Sequence, residues 1–272
     1  MGNAREQHDG MGRPIEIRHC SAHAEFDRCI ELQRQVWGYK DYELVPREMF
    51  VIAANAGGQV IGAFLESQMV GFIFALPAFR GSLRYLHSHM AAVAPQLQNL
   101  GIGRALKLKQ REEALARGLA LVEWTFDPLE ARNAHFNIMR LGAVVRRCVP
   151  DFYGTTSSPL HAGLPTDRLI AEWWLNSQRV DTAITGQRHS GLRGPRVELP
   201  AAIEHIKRSD LKAARRLQED LRLQLEDWFR QGFAITGFES NGTTCAYVLE
   251  FLSPNSDGPA GPCRALRSGE SR

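Results

Sequence analysis

A strand that ends at Val93 runs through a glycine-bearing turn, Gln98 to Gly103, straight into a helix that begins near Ile102. Everything around this strand–turn–helix has to be compatible with it. Upstream, Gly57-Gly58 marks a turn. Gln59–Leu65 and Met69–Leu76 are runs rich in Val, Ile and Phe, joined by the polar link Glu66-Ser67-Gln68. They read as a β-hairpin with a loop of about three residues. Tyr85–Val93 is the next strand. Downstream, Ile102–Arg117 is a helix stopped by Gly118, and Leu119–Phe126 is a strand broken by Asp127-Pro128. Glu130–Leu141 is a helix ending at Gly142, and Ala143–Val149 is a strand. Near the start, Ile15-Glu16-Ile17-Arg18 alternates like a strand. Ser21 suits the N-cap of a helix carrying Phe26, Cys29, Ile30, Val36 and Trp37, with Gly38 as its left-handed stop. Pro46 suits the first turn of a second helix toward Ala54. The order is β-α-α-β-β-β-α-β-α-β. Antiparallel strands pass into β-α-β units, which predicts an α/β layer structure with a mixed sheet.

The remainder has a different texture. Asp167–Leu175 reads as one more strand, and Asn176–Pro195 as a polar linker or long loop. Ser209 or Asp210 suits the cap of a long helix reaching Gln231, with the stripe Leu211, Ala214, Leu217, Leu221, Leu225, Trp228 and Phe229. Phe233–Glu239 and Thr243–Phe251 flank Asn241-Gly242, a strong hairpin signal. These readings divide the chain into a tail at 1–13, a main domain at 14–175, a helix-plus-hairpin extension at 176–252 and a Ser/Pro/Gly-rich tail at 253–272.

Composition excludes several classes. With 44% hydrophobic and 23% charged residues the chain resembles an average globular protein, not a disordered or fibrous one. A net charge of +3 without long basic blocks argues against a nucleic-acid partner. Arg146-Arg147 and Arg215-Arg216 read as solvated surface. The most apolar short run, Met69–Phe79, is too short for a bilayer, which needs about 20 apolar residues. The segment before Arg13 lacks an apolar signal core. Cys20, Cys29, Cys148, Cys245 and Cys263 form no CxxC pair and are odd in number. Neither a disulfide framework nor a structural metal site is expected, and a cytoplasmic setting fits.

The turn itself, Val93-Ala94-Pro95-Gln96-Leu97-Gln98-Asn99-Leu100-Gly101-Ile102-Gly103-Arg104-Ala105-Leu106, is built to hold a phosphate. Glycines permit close backbone approach, and the helix start presents N–H groups and a dipole that favour anions. No Gly-Lys-Ser/Thr follows, so it is not a Walker A loop. The third glycine of a dinucleotide fingerprint is replaced by Leu106. The segment resembles the Gln/Arg-x-x-Gly-x-Gly/Ala pyrophosphate loop of GNAT-type N-acetyltransferases, over roughly residues 14–175. The resemblance implies a mixed sheet splayed open after its fourth strand, with acetyl-CoA or another acyl-CoA wedged in the opening. It assigns cofactor contacts to Gln98, Asn99, Leu100, Gly101, Ile102, Gly103, Arg104 and Ala105, to the backbone of Ala91, Ala92 and Val93, and to Asn133. Asn133 and Asn137 stand four apart on one face of the predicted helix.

Acyl transfer to an amine calls for a base near neutrality. His87 and His89 stand two apart on the strand entering the turn and face one side. They resemble paired histidines that act as a base, through water, in arylalkylamine N-acetyltransferases. His89 is the leading candidate, and a packed polar residue on a sheet face is the other reading. The resemblance places a tyrosine acid where this chain has Ile138, so Tyr153 is the substitute candidate, against a plain turn aromatic. Glu123, Thr125 and Asp127 share a strand face. Asp127 reads as a helix cap and Cys148 as an inert buried thiol.

The sequence thus predicts an acyltransferase that uses an acyl-CoA cosubstrate, an amine acceptor and no metal. A non-catalytic acyl-CoA-binding or regulatory module is the alternative, and a purely structural glycine turn the plainest reading. The long striped helix is a candidate homodimer interface. The extension is expected to complete or cover the acceptor side.

Overall fold

The computed structural model describes residues 7–8, 12–187 and 193–252. Cys263, the expected C-terminal tail and most of the expected N-terminal tail lie outside them. The described chain forms two compact units. One takes Met1–Phe79, Leu83–Thr125 and Tyr153–Pro165, and the other Arg80–Ser82, Phe126–Phe152 and Thr166–Arg272, each as far as described.

In the first unit the strands are β1 (Gln7–His8), β2 (Pro14–His19), β3 (Gln59–Leu65), β4 (Gln68–Arg80), β5 (Leu83–Val93) and β6 (Leu121–Phe126), adjacent in that order. β2, β3 and β4 pair antiparallel, and β5 and β6 run parallel, so the sheet is mixed as expected. The helices are α1 (His23–Trp37), α2 (Arg47–Asn55) and α3 (Ile102–Ala116). Every residue of β3 is buried because both faces are covered. Val60 and Phe64 join a cluster with Phe26, Leu32 and Phe50 of α1 and α2. Ile61, Ala63 and Leu65, of opposite parity, join Ile102 and Leu106 of α3.

Local details differ from expectation. The β3–β4 loop has two residues, not three, because Leu65 pairs with Gln68. Glu66 and Ser67 both have positive φ (48° and 68°), the geometry that matches strand twist in a tight hairpin. Neither side chain advertises that conformation. α1 is capped at Ala22 rather than Ser21, and the Glu25 carboxylate accepts from the backbone N–H groups of Ser21 (2.7 Å) and Ala22 (3.1 Å). Pro46 is the N-cap of α2, one place earlier than its expected first-turn position.

In the second unit, β7 (Val144–Val149), β8 (Arg168–Trp174), β9 (Arg196–Pro200), β10 (Phe233–Ser240) and β11 (Thr244–Phe251) form the order β8-β7-β10-β11-β9, all antiparallel. The expected linker holds a helix, α5 (Gln178–Ile184), capped by Ser177 and buried through Val180 and Ala183. The first expected 3.6-period helix here is a single α-turn, α4 (Ala131–Ala134), running into a π-helical turn at His135–Arg140. α6 (Ile203–Ser209) precedes α7 (Leu211–Arg230), so Ser209 closes one helix and Asp210 caps the next by accepting from Ala213 N at 3.0 Å. Ala214, Leu221 and Leu225 of the predicted stripe are buried, whereas Leu211 is exposed. The last hairpin forms around Asn241, whose side-chain oxygen accepts from the N–H groups of Thr243 and Thr244.

Gly142 is a tight point of this unit. Its φ is +77°, and a Cβ built there meets Arg179 O at 2.8 Å and Val180 Cα at 2.9 Å. Gly142→Ala combines left-handed strain with a backbone clash, so the expected loss is about 3 kcal/mol or more. Urea unfolding checks it, and a loss below about 1 kcal/mol would contradict this packing.

Candidate active site

The site is assembled on β5, the turn after it, α3 and β6, all in the first unit. The parallel ladder between β5 and β6 joins Leu86 to Val122 and His87 to Glu123. β5 then continues to Val93 and meets the turn. Ala94 N donates to Val70 O (2.8 Å), and the Gln98 side-chain amide donates to Val93 O (3.2 Å), tying the turn to the strand end. Asn99 has φ +66° and Gly101 φ +83°. Gly101 is the N-cap of α3, and the helix ladder starts with Ala105 N donating to Gly101 O at 2.9 Å. A Cβ at Gly101 would meet nothing within 4 Å, so the cap faces open space. No acidic residue stands in the first turn, and Arg104 does. Ile102, 1% exposed, anchors the turn in the core.

The predicted contact residues therefore separate. Ala91–Val93 and Gln98–Ala105 form one continuous strand end, turn and helix start. Asn133 belongs to the second unit, exposed on α4. The expected shared face of Asn133 and Asn137 is absent, since Asn137 is buried in the π-helical turn while Asn133 faces out. The wider i→i+5 turn breaks the i, i+4 register.

His87 and His89 do share one side, with ring centroids 6.3 Å apart. His89 also meets Phe74 edge-on at 5.9 Å. Ser88, between them, points to α3, where Lys107 Nζ donates to its hydroxyl at 3.0 Å. Burial lowers the pKa of His89 below the usual imidazole value. Burial, then His89 and Lys107, bring His87 down to about 4. Both rings are thus in the neutral, proton-accepting form at pH 7.

Tyr153 is 44% exposed, and its hydroxyl shares a 2.9 Å hydrogen bond with Thr125 on β6. The segment behind it is held to the end of α1. Ser158 Oγ donates to Trp37 O (2.6 Å), and Glu43 accepts from Ser157 N (2.7 Å). Asp127 accepts from Leu129 N (2.8 Å), a local turn before α4 rather than the α4 cap itself, which is Glu130. Ile138, at the position of the expected tyrosine, is 1% exposed. Cys148 is half-buried rather than buried as expected, and desolvation pushes its thiol up to about 12.

Lys107 was not visible as a site residue. Its ammonium is buried, donates to Ser88 Oγ and Gln110 Oε1 (both 3.0 Å) and lies 3.9 Å from the Trp124 ring centre. The available signal is spacing, because Gly103, Lys107, Gln110 and Ala114 fall on one helical stripe, and a charge within it signals burial.

The family model described as the Acetyltransferase (GNAT) family matches residues 22–138. Over these residues the chain is similar to a GNAT-family acetyltransferase domain. The match starts at the N-cap of α1 and ends in the π-helical turn, so it includes β5, the turn after it, α3 and β6. Solved structures similar to the chain include a GNAT-family protein from Desulfovibrio desulfuricans, 18% identical over 59% of this chain and 99% of its own, with a TM-score of 0.48. The Escherichia coli ribosomal-protein-S18-alanine N-acetyltransferase is 16% identical over 58% of this chain and 92% of its own, with a TM-score of 0.46. Arabidopsis thaliana NAA60, solved in complex with acetyl-CoA, is 14% identical over 59% and 99%, with a TM-score of 0.48. No curated protein matches. After the matched residues, the described chain continues with β7–β11 and α5–α7. Among the described residues, no helix is long and apolar enough to cross a membrane.

Proposed function

We propose that the protein transfers an acetyl or other acyl group from acyl-CoA to an amine by direct attack. The observation that carries this is the open, acid-free N-terminus of α3, with Gly101 at φ +83°, placed directly after a strand bearing two neutral histidines. The fit is physical. Pyrophosphate needs N–H donors and space, and the first turn of a helix provides both where no side chain blocks the cap. Gln98, Asn99, Leu100, Gly101, Ile102, Gly103, Arg104 and Ala105 would hold the pyrophosphate, and the Ala91–Val93 backbone the pantetheine arm. Bound acyl-CoA supplies an activated thioester.

The chain's own groups supply the rest. His89 takes the proton from the attacking amine, directly or through water, with His87 beside it. Desolvation favours the neutral ring, so the base is ready across the neutral range. Tyr153, half-exposed and held by Thr125, is the proton donor for the departing thiolate. The acceptor is an amine, and the site's geometry selects no narrower class.

Calorimetry of the purified protein with acetyl-CoA and with free CoA tests the cradle, and thiol release in the presence of amines tests transfer. No binding to either ligand would sink the proposal. His89→Ala is expected to cut turnover on the order of a hundredfold with CoA affinity unchanged. The loss should be steepest below about pH 7, where the amine is protonated. Full turnover across that range would remove His89 from the mechanism.

One observation favours a second reading, a non-catalytic acyl-CoA-binding module. Ile138 replaces the family's tyrosine and is buried. Tight CoA binding without transfer to any amine would decide for it.

A further inference from the structure

Thr156, Ser157 and Ser158 follow Tyr153 within five residues, and the hydroxyl of each donates to the stretch that ends α1 and leads to α2. Ser158 Oγ donates to Trp37 O (2.6 Å). Ser157 Oγ (2.5 Å) and Thr156 Oγ1 (3.2 Å) donate to Glu43 Oε2, and Ser157 N (2.7 Å) donates to Glu43 Oε1. Each hydroxyl also accepts a backbone N–H: Thr156 from Ser158 (3.2 Å), Ser157 from Lys40 (3.0 Å) and Ser158 from Leu160 (3.4 Å). Every hydroxyl is therefore donor and acceptor at once, which fixes its direction. Both carboxylate oxygens of Glu43 are engaged, and bonds to an ionised acceptor are stronger than those between neutral groups. Gly38, at φ +64°, completes the seam, since a Cβ there would meet Pro159 Cδ at 3.1 Å. All these residues belong to the first unit.

At the start of the same segment the Tyr153 hydroxyl meets Thr125 of β6 at 2.9 Å. One neutral hydrogen bond at a half-exposed site returns less than the conformational entropy of ordering the residues from Gly154 to Thr156. The Tyr153–Thr125 bond therefore depends on the segment being ordered from elsewhere, and the clasp at Glu43 begins three residues away. We propose that Glu43 is a positioning residue of the acyl-transfer site, clamping Thr156 and Ser157 so that the Tyr153 phenol stays on Thr125. The proposal rests on the reading of Tyr153 as the proton donor, and Glu43 acts through that phenol without touching the reacting atoms. The carboxylate is required because it collects three donors and presents none of its own. Glutamine keeps the shape but turns an NH2 group toward a donor, so at least one bond is lost.

The test is NMR of the protein without cosubstrate, comparing the native chain, Glu43→Gln and Thr125→Val, with the Tyr153 ring signal assigned by Tyr153→Phe. Thr125→Val marks the signal of a phenol that has lost Thr125. In Glu43→Gln the Tyr153 signal should move most of the way to that position. The Lys40 amide should exchange at least about tenfold faster, although its own acceptor, Ser157 Oγ, is intact. An unmoved Tyr153 signal, or Lys40 exchange at the native rate, would overturn the proposal. Ser157→Ala is the second variant should Glu43→Gln not fold, and the same Tyr153 shift is expected of it. In turnover, Glu43→Gln should lower kcat about tenfold with CoA affinity unchanged, and should cost nothing more in a Tyr153→Phe background. An equal loss in that background would show that Glu43 does not act through Tyr153. Absence of turnover in the native protein, with the Tyr153 shift present, would sink the acyl-transfer reading and leave the hold of Glu43 on Tyr153 standing.

Discussion

Gly101→Asp is expected to weaken CoA binding at least a hundredfold, about 2.7 kcal/mol. Two causes act together. The carboxylate would occupy the open space in front of the α3 N-terminus, where the pyrophosphate is proposed to lie. It would also place a negative charge against another negative charge at short range. The fold should survive, because aspartate tolerates the left-handed conformation better than most residues and an acidic side chain suits a helix N-terminus. Gly101→Asn is the paired variant. It matches aspartate in size and carries no charge, so the affinity difference between the two measures the electrostatic part. Calorimetry with acetyl-CoA, beside thermal unfolding of each variant, reads both effects. Equal affinity of Gly101→Asp and the native protein would show that no phosphate sits at this helix end.

The second large effect is a rise of stability with pH. His87 has a folded pKa of about 4 against an unfolded value of about 6.5, and Lys107 about 7 against 10.5. Both are cationic groups whose folded state prefers the neutral form, mainly through burial. In each window the unfolded chain binds more protons, so stability climbs as pH rises. The His87 window runs from pH 4 to 6.5 and contributes at most about 3 kcal/mol. The Lys107 window opens near pH 7 and contributes at most about 5 kcal/mol by pH 10.5. Above about pH 9 the half-buried Cys148, pushed up to about 12, works in the opposite sense, because its thiol ionises first in the unfolded chain. Urea unfolding at pH 5, 7 and 9 should therefore give steadily increasing stability. Lys107→Met should flatten the step between pH 7 and 9 and leave the step between 5 and 7. A flat native profile between pH 7 and 9 would mean that Lys107 is hydrated.

The strand and helix sequence of the GNAT-like region was legible because its elements are apolar with clean periods and glycine or proline at their ends. The turn after β5 was legible for the same reason: Gln98, Gly101 and Gly103 lie within six residues of one another, and their geometry is local. His87 and His89 were legible as a pair because alternation along one strand needs no partner. The β3–β4 turn was misread by one residue, since Glu66 and Ser67 carry no mark of positive φ. Asn133 and Asn137 were misread because a π-helical turn has no distinct apolar pattern. α5 was hidden in a polar stretch, where only Val180 and Ala183 face the core.

Local order along the chain was thus determined by the sequence alone: which segments are strands, where α3 starts, and that two histidines face one side. Tertiary structure alone decided three other things. It put Lys107 against Ser88 of β5 and Trp124 of β6, it tied the Tyr153 segment to α1 through Ser158 and to the turn after α1 through Glu43, and it lowered the proton affinity of His87. The reason is one of range. Periodicity and turn chemistry act over a few residues, whereas burial and charge proximity are set by groups distant in the chain, such as Ser88 and Trp124 around Lys107.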